Sequence, residues 1–218
     1  MDWFAPIDSY CERLHPGLLA EPLNALSNAA FIIAAIWAAR AAQRRGNREP
    51  VIWLLIALVF VIGLGSLAFH TFANQWSVLA DVLPITVFIY GYLAFALRRF
   101  LGFAWWKVAG ALIVLFAITF VAENILPPGF MNGSGAYLPA LVASVLVAIE
   151  LLRRGHPAHL NVSLASTVLF LSLIFRTADI VLCSLIPIGT HFVWHILNGV
   201  VLALYLEAAI RYGSRKPA

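Results

Sequence analysis

Charge is scarce in this chain: 11% of its 218 residues are Asp, Glu, Lys or Arg, against 62% hydrophobic. Soluble domains carry about 25% charged residues, so composition excludes an ordinary soluble protein. A cleavable signal is also missing from the expected place. Residues 1–20 contain Asp2, Asp8, Glu12, Arg13 and two prolines, with neither a basic start nor an apolar middle. Insertion is therefore expected to be directed by the first membrane helix. There is no internal repeat of fixed period, no low-complexity tract and no inserted soluble domain. The net charge of +4 is not a nucleic-acid signature, because its distribution follows the membrane.

What is present is apolar sequence, with a mean hydropathy of +0.91. Seven runs stand out, at 22–43, 50–71, 78–98, 104–122, 135–153, 160–183 and 190–211. Each is about long enough to cross a hydrocarbon core of roughly 30 Å. Lipid requires each span to satisfy its own backbone, which leaves helices as the solution for such runs. The fold class expected is an all-α membrane protein, a seven-transmembrane helix bundle in one domain over residues 1–218. Within it, 1–21 form an external N-terminal segment, 22–211 the membrane bundle and 212–218 a cytoplasmic tail. Asn132-Gly133-Ser134-Gly135 blurs the start of the fifth span.

The basic residues set the orientation. Arg40, Arg44, Arg45 and Arg48 lie at the first connection, and Arg98, Arg99 and Lys107 at the third. Arg153 and Arg154 lie at the fifth, and Arg211, Arg215 and Lys216 at the C-terminus. All of these fall on one side, leaving Arg13 on the other and Arg176 inside a span. The positive-inside rule then predicts an external N-terminus and a cytoplasmic C-terminus, as in a bacterial inner membrane.

This topology gathers the rare polar residues. His70 and Ser66 fall in the outer half of the second span, Asp81 near the outer end of the third, and His191 and His195 in the outer turns of the seventh. Ser66 with His70, and His191 with His195, are four residues apart and share a helix face. Histidines at that spacing can hold one metal ion, and three imidazoles with one open position are the ligand set of a catalytic zinc. Asp81 could take a proton from the water and pass it to a leaving amine, and Ser66 could donate to a developing oxyanion. Blander readings stand beside these: an interfacial histidine, an aspartate capping its helix, a serine bonded to its own helix carbonyl. His15, His156 and His159 fall in loops and read as solvated. Arg176 and Asp179, three apart in the sixth span, are expected to pair and face the interior. Glu123 and Asn124 end the fourth span without an assigned role. A hydrolytic site in the outer leaflet, reached from lipid, points to a lipid amide or ester.

Together the segments Tyr10-Cys11-Glu12, Glu21-Pro22-Leu23-Asn24, Ser27-Asn28, Gly65-Ser66, Phe69-His70, Asp81, Asp179, Cys183, His191 and Trp194-His195 resemble the alkaline ceramidase family. That family belongs to a wider group of seven-span proteins that includes the progestin and adiponectin receptors. The resemblance implies an intramembrane hydrolase that cleaves the amide of ceramide, or of a related N-acyl lipid, into a free amine and a fatty acid. It implies zinc on His70, His191 and His195, with Asp81 activating water and Ser66 stabilising the oxyanion. It also implies calcium on Asp8 or Ser9, Tyr10, Glu12, Leu14 and Glu21, although this segment is about two residues short and has Leu14 where an asparagine is expected. The acids there have another outcome open, bonding to the external loops. Asp179 matches a family position and reads as structural. Cys11 and Cys183 match a family cysteine pair, and both fall outside, where disulfides persist; two free buried thiols are the alternative. Two competing functions remain open: a seven-span lipid receptor or sensor with a structural zinc, and a transporter. The transporter reading is weakened by the lack of an inverted repeat.

Overall fold

The computed structural model describes residues 2–127 and 129–214. Arg215 and Lys216, counted above with the inside basic residues, lie outside the described residues, as does most of the tail from 212. The chain is all-helical, and seven of its segments are long and apolar enough to cross a membrane: Pro22–Arg44, Pro50–Phe72, Gln75–Arg99, Trp105–Ile125, Phe130–Arg153, His159–Leu182 and His191–Tyr212. The first is broken at Asn28 into α1 (Pro22–Ser27) and α2 (Ala29–Arg44). The others are α3 (Pro50–Phe72), α4 (Gln75–Arg99), α5 (Trp105–Ile125), α6 (Leu138–Arg153), α7 (His159–Leu182) and α8 (His191–Tyr212).

The fifth span departs from expectation. Its first eight residues, Phe130–Tyr137, form a tight 3-10 segment in which Met131, Asn132 and Gly133 have positive φ. The α-helix proper begins only at Leu138. The glycines of Asn132-Gly133-Ser134-Gly135 blurred this start for a physical reason: the segment turns before it spans.

Small side chains set the packing. Ala34, Ala35, Ala38 and Ala42 of α2 are buried with Ile52, Leu55 and Val59 of α3 and Val201, Leu206 and Ala209 of α8. Helices faced with small residues approach closely, which drives association in lipid where burial of apolar area cannot. α8 is the most enclosed span, with 56% of its apolar window buried, and α5 the least, with 11%. The helix that carries two of the three candidate histidines is therefore the central one.

At one end of the bundle the N-terminal segment folds back over the helix termini. Ile7 N donates to Ala73 O at 2.8 Å and Trp76 N to Trp3 O at 3.2 Å, beside an isolated bridge between Pro6 and Asn74. Only Ala73 and Asn74 separate α3 from α4, and Asn74 and Ser77 form a capping box that starts α4.

Candidate metal centre

His70 stands in the last turn of α3, and His191 and His195 in the first two turns of α8. Two local devices bring their neighbours in. Pro84 inside α4 lacks the N–H that would bind the Ala80 carbonyl. That carbonyl instead lies over Gly65, where any Cβ would collide with Ala80. α3 and α4 thus meet tightly beside Ser66 and Asp81, and Asp81 adjoins Ser66 within electrostatic reach of His70. At the start of α8, Asp179 Oδ1 accepts from Thr190 N at 2.6 Å and His191 N at 2.9 Å. A carboxylate at a helix N-terminus satisfies orphan donors and favours the dipole. Gly189, at φ 67°, has no room for a Cβ against that carboxylate.

The three histidines are fully buried, and their candidate ligand atoms lie within 4.8 Å of one another. Each keeps one buried ring nitrogen without a partner: Nε2 of His70, Nδ1 of His191 and Nε2 of His195. Ser66 Oγ and Asp81 Oδ1 are buried and unpartnered as well. Buried polar atoms in folded proteins are normally hydrogen-bonded, so a cluster of orphans calls for an absent partner. The second nitrogens explain which lone pairs remain. His70 Nδ1 donates to Glu21 Oε2 at 2.5 Å. Ser27 Oγ donates to Asn24 O at 2.8 Å, so it accepts from His195 Nδ1, also at 2.8 Å. Both contacts turn Nε2 inward and place the proton of a neutral ring on Nδ1, the tautomer that a metal ligand requires. The donor set fits a metal ion that favours nitrogen, and the residues present can hold one.

The N-terminal segment braces this centre. Tyr10 stacks on His191 with ring centroids 3.7 Å apart. Burial pushes its phenol well above the usual value, so it stays a neutral hydroxyl. Cys11 is bonded to Cys183 at the end of α7, with Cα atoms 5.3 Å apart, and Cys11 N donates to Asp179 Oδ2 at 3.0 Å. Glu21 accepts from Arg13 Nε at 2.5 Å as well as from His70 and Asn24. Burial alone would raise the Glu21 carboxyl, but these hydrogen bonds outweigh it and hold it below the usual range.

The same contacts bear on calcium. Glu12 Oε1 and Oε2 accept from Leu23 N at 2.6 Å and Asn24 N at 2.8 Å, capping α1. Both oxygens of Glu21 are engaged, Tyr10 is turned onto His191, and Asp8 is exposed. Leu14 offers no side-chain oxygen, and Arg13, a cation, is buried among the acids. Calcium takes six to eight oxygens, backbone carbonyls and waters among them, and the side chains of this segment offer it few free ones. One expectation does fail. Arg176 does not pair with Asp179, whose carboxylate is engaged by Cys11, Thr190 and His191. Among the loop histidines, His15 is exposed, whereas His156 is half-buried and its Nδ1 accepts from Ala158 N at 3.2 Å.

Beneath the histidines lies an apolar cavity of about 110 Å³ lined by Phe31, Ile62, Phe88, Tyr137, Trp194 and Tyr205. A lateral cleft between α4, α5 and the 3-10 segment shares Tyr137 with it and includes Glu123 and Arg176. Sequence reasoning missed Ser27, Asn24 and Arg13 as supports of the centre. The available signal was six polar residues, Glu12, Arg13, Glu21, Asn24, Ser27 and Asn28, crowded at the edge of an otherwise apolar span.

Comparison with curated proteins gave no match. A protein-family model described as Ceramidase matches residues 7–216, nearly the whole chain and every residue of the centre. On that match, the chain belongs to the ceramidase family.

Proposed function

We propose that this protein is a zinc-dependent intramembrane amidase that hydrolyses the N-acyl amide of ceramide, or of a related N-acyl lipid. Family membership implies a hydrolase acting on amide bonds. The observation that carries the finer reading is the convergence of five buried, unpartnered polar atoms, from His70, His191, His195, Ser66 and Asp81, above an apolar cavity. A zinc ion held by three imidazoles keeps a fourth position for water and lowers the pKa of that water to about 7.

The remaining steps belong to the chain's own residues. Asp81 accepts a proton as the water oxygen bonds to the carbonyl carbon. Ser66 Oγ donates to the carbonyl oxygen as negative charge develops there. Asp81 then passes its proton to the amide nitrogen as the C–N bond breaks, leaving a free amine and a fatty acid. Glu21 and Ser27 hold His70 and His195 in orientation throughout. The apolar cavity suits a hydrocarbon chain, and the lateral cleft offers entry from lipid. In this reading the N-terminus faces outward and the site lies in the outer half of the membrane, because the basic residues cluster at the opposite end.

Purified protein is expected to contain about one zinc per chain by elemental analysis. His191→Ala is expected to lose metal and lipid hydrolysis together, whereas Asp81→Asn keeps the metal and loses turnover about 10²–10⁴-fold. Mass spectrometry of lipid extracts should show fatty acid and free amine rising in step. Wild-type protein without metal overturns the mechanism; lipid binding without hydrolysis, unchanged in Asp81→Asn, would instead indicate a receptor.

A further inference from the structure

Arg176 lies in the last two turns of α7, and a guanidinium at such a depth is costly without an anion. Yet none of the ion pairs among the described residues includes it. Its hydrogen-bond partners are neutral: Nη1 donates to Asn132 O and, at 3.4 Å, to Ser134 Oγ, while Nη2 donates to Tyr10 Oη at 3.4 Å. The guanidinium sits over the rings of Tyr137 and Trp194, 5.4 and 5.6 Å from their centroids. Nε is buried and has no partner. Nε and Nη2 share one edge of the guanidinium, the edge that meets a carboxylate with two parallel N–H bonds. Only a long contact to a tyrosine hydroxyl lies on that edge.

The cation is also one ring away from the metal centre. Tyr10, which its Nη2 reaches, and Trp194, over which it lies, both stack on His191, at 3.7 and 5.1 Å. Its charge reaches Asp81, and it lines the lateral cleft. We propose that Arg176 receives a carboxylate on the substrate headgroup, one carbon from the scissile amide nitrogen, so that the substrate class is N-acyl α-amino acid lipids. This rests on the amidase reading above. With the amide carbonyl at the histidines, an α-carboxylate lies beside the amide nitrogen, and Arg176, which lines the lateral cleft and acts on Asp81 through space, is the cation next to that position. Leaving Arg176 only the through-space attraction of Asp81, the hydroxyls of a ceramide headgroup offer the Nε–Nη2 edge no anion to bond. A carboxylate supplies one inside a cleft where water is scarce and the pair is strengthened.

The test compares N-oleoylglycine with N-oleoylethanolamine, which share an acyl chain and differ in carboxylate against hydroxymethyl, with ceramide as a third substrate. Zinc-loaded full-length protein is expected to favour N-oleoylglycine by about tenfold or more in kcat/KM, mainly through KM, as suits hydrogen bonds to a charged group. Arg176→Gln should abolish the preference, and Arg176→Lys should restore part of it. Isothermal titration of N-oleoylglycine into zinc-loaded Asp81→Asn reads the arginine without turnover, and adding Arg176→Gln should weaken binding about tenfold. A wild type that prefers the neutral lipids overturns the proposal. So does Arg176→Gln if it lowers all substrates alike together with Tm, the signature of a clamp on the 130–137 segment. If no lipid is cleaved yet N-oleoylglycine binds through Arg176, the amidase reading fails and the carboxylate site stands.

Discussion

At the end of the bundle where α3 closes and α8 opens, buried polar groups are concentrated. Glu12, Arg13, Glu21, Asn24, Asn28, Ser66, His70, Asp179, His191 and His195 are all buried there, tied by a disulfide and by hydrogen bonds between residues far apart in sequence. The opposite end is packed with Ala38, Ala42, Ile52, Phe95, Leu151 and Leu206, and its ion pairs run from Glu150 with the exposed Arg153 and Arg154 to the part-buried Glu49 with Arg99 and the buried Glu207 with Arg211. The two ends use charge for different purposes. One pays desolvation to hold groups in fixed positions, which is the requirement of a preorganised site. The other carries basic side chains in ion pairs of which the exposed ones contribute little to stability.

The comparison breaks first at the Cys11–Cys183 bridge, which spans 172 residues of sequence. Replacing both cysteines by serine is expected to destabilise the protein by about 2–5 kcal/mol, read as a lower Tm. Because Tyr10 and Asp179 sit beside the bridge, zinc retention should fall with it. A double variant that keeps both Tm and zinc content would show that the N-terminal segment does not brace the centre.

Glu21 sharpens the comparison within the site end. Its carboxylate orients His70, and loss of such an outer partner typically costs 10–100-fold in metal affinity. Glu21→Gln is expected to fall in that range by competition against a zinc chelator. Gln can still accept from His70 while losing the ion pair with Arg13, so an unchanged affinity would mean that the charge of Glu21 is dispensable. Added calcium should not raise the wild-type Tm, since the Glu21 oxygens are occupied from within the chain.

The difference between the ends also explains what was legible in the sequence. The seven spans were readable because lipid imposes a length and an apolarity on every one of them. The histidines were readable because an i, i+4 pair and a common depth are properties of single helices and of topology. The Glu21–His70 contact was not, since it depends on how a loop returns over helix ends 49 residues away. Asp179 misled for a related reason. Its spacing to Arg176 fits a helical ion pair, but its carboxylate is engaged by the buried N–H groups that open α8. The 3-10 turn at 130–137 escaped because hydropathy measures composition and not the conformation that glycines allow.

The smallest effect is expected at the far end. Glu150 bonds Arg154 Nε at 2.8 Å and Arg153 Nη1 at 3.4 Å, but the two arginine side chains are 43% and 76% exposed. Exposed i, i+3 and i, i+4 pairs contribute only about 0.2–1 kcal/mol, because water screens them and two long side chains must be ordered. Arg154 also donates to Leu101 O at 2.8 Å, a contact that survives loss of the carboxylate. Glu150→Gln should therefore shift Tm by no more than a degree or two and leave zinc content and lipid turnover unchanged. A larger loss of stability would mean that this end, too, depends on a fixed charge network. A loss of turnover at intact Tm would mean that the two ends are coupled through α6 and α7, and that the division drawn between them is wrong.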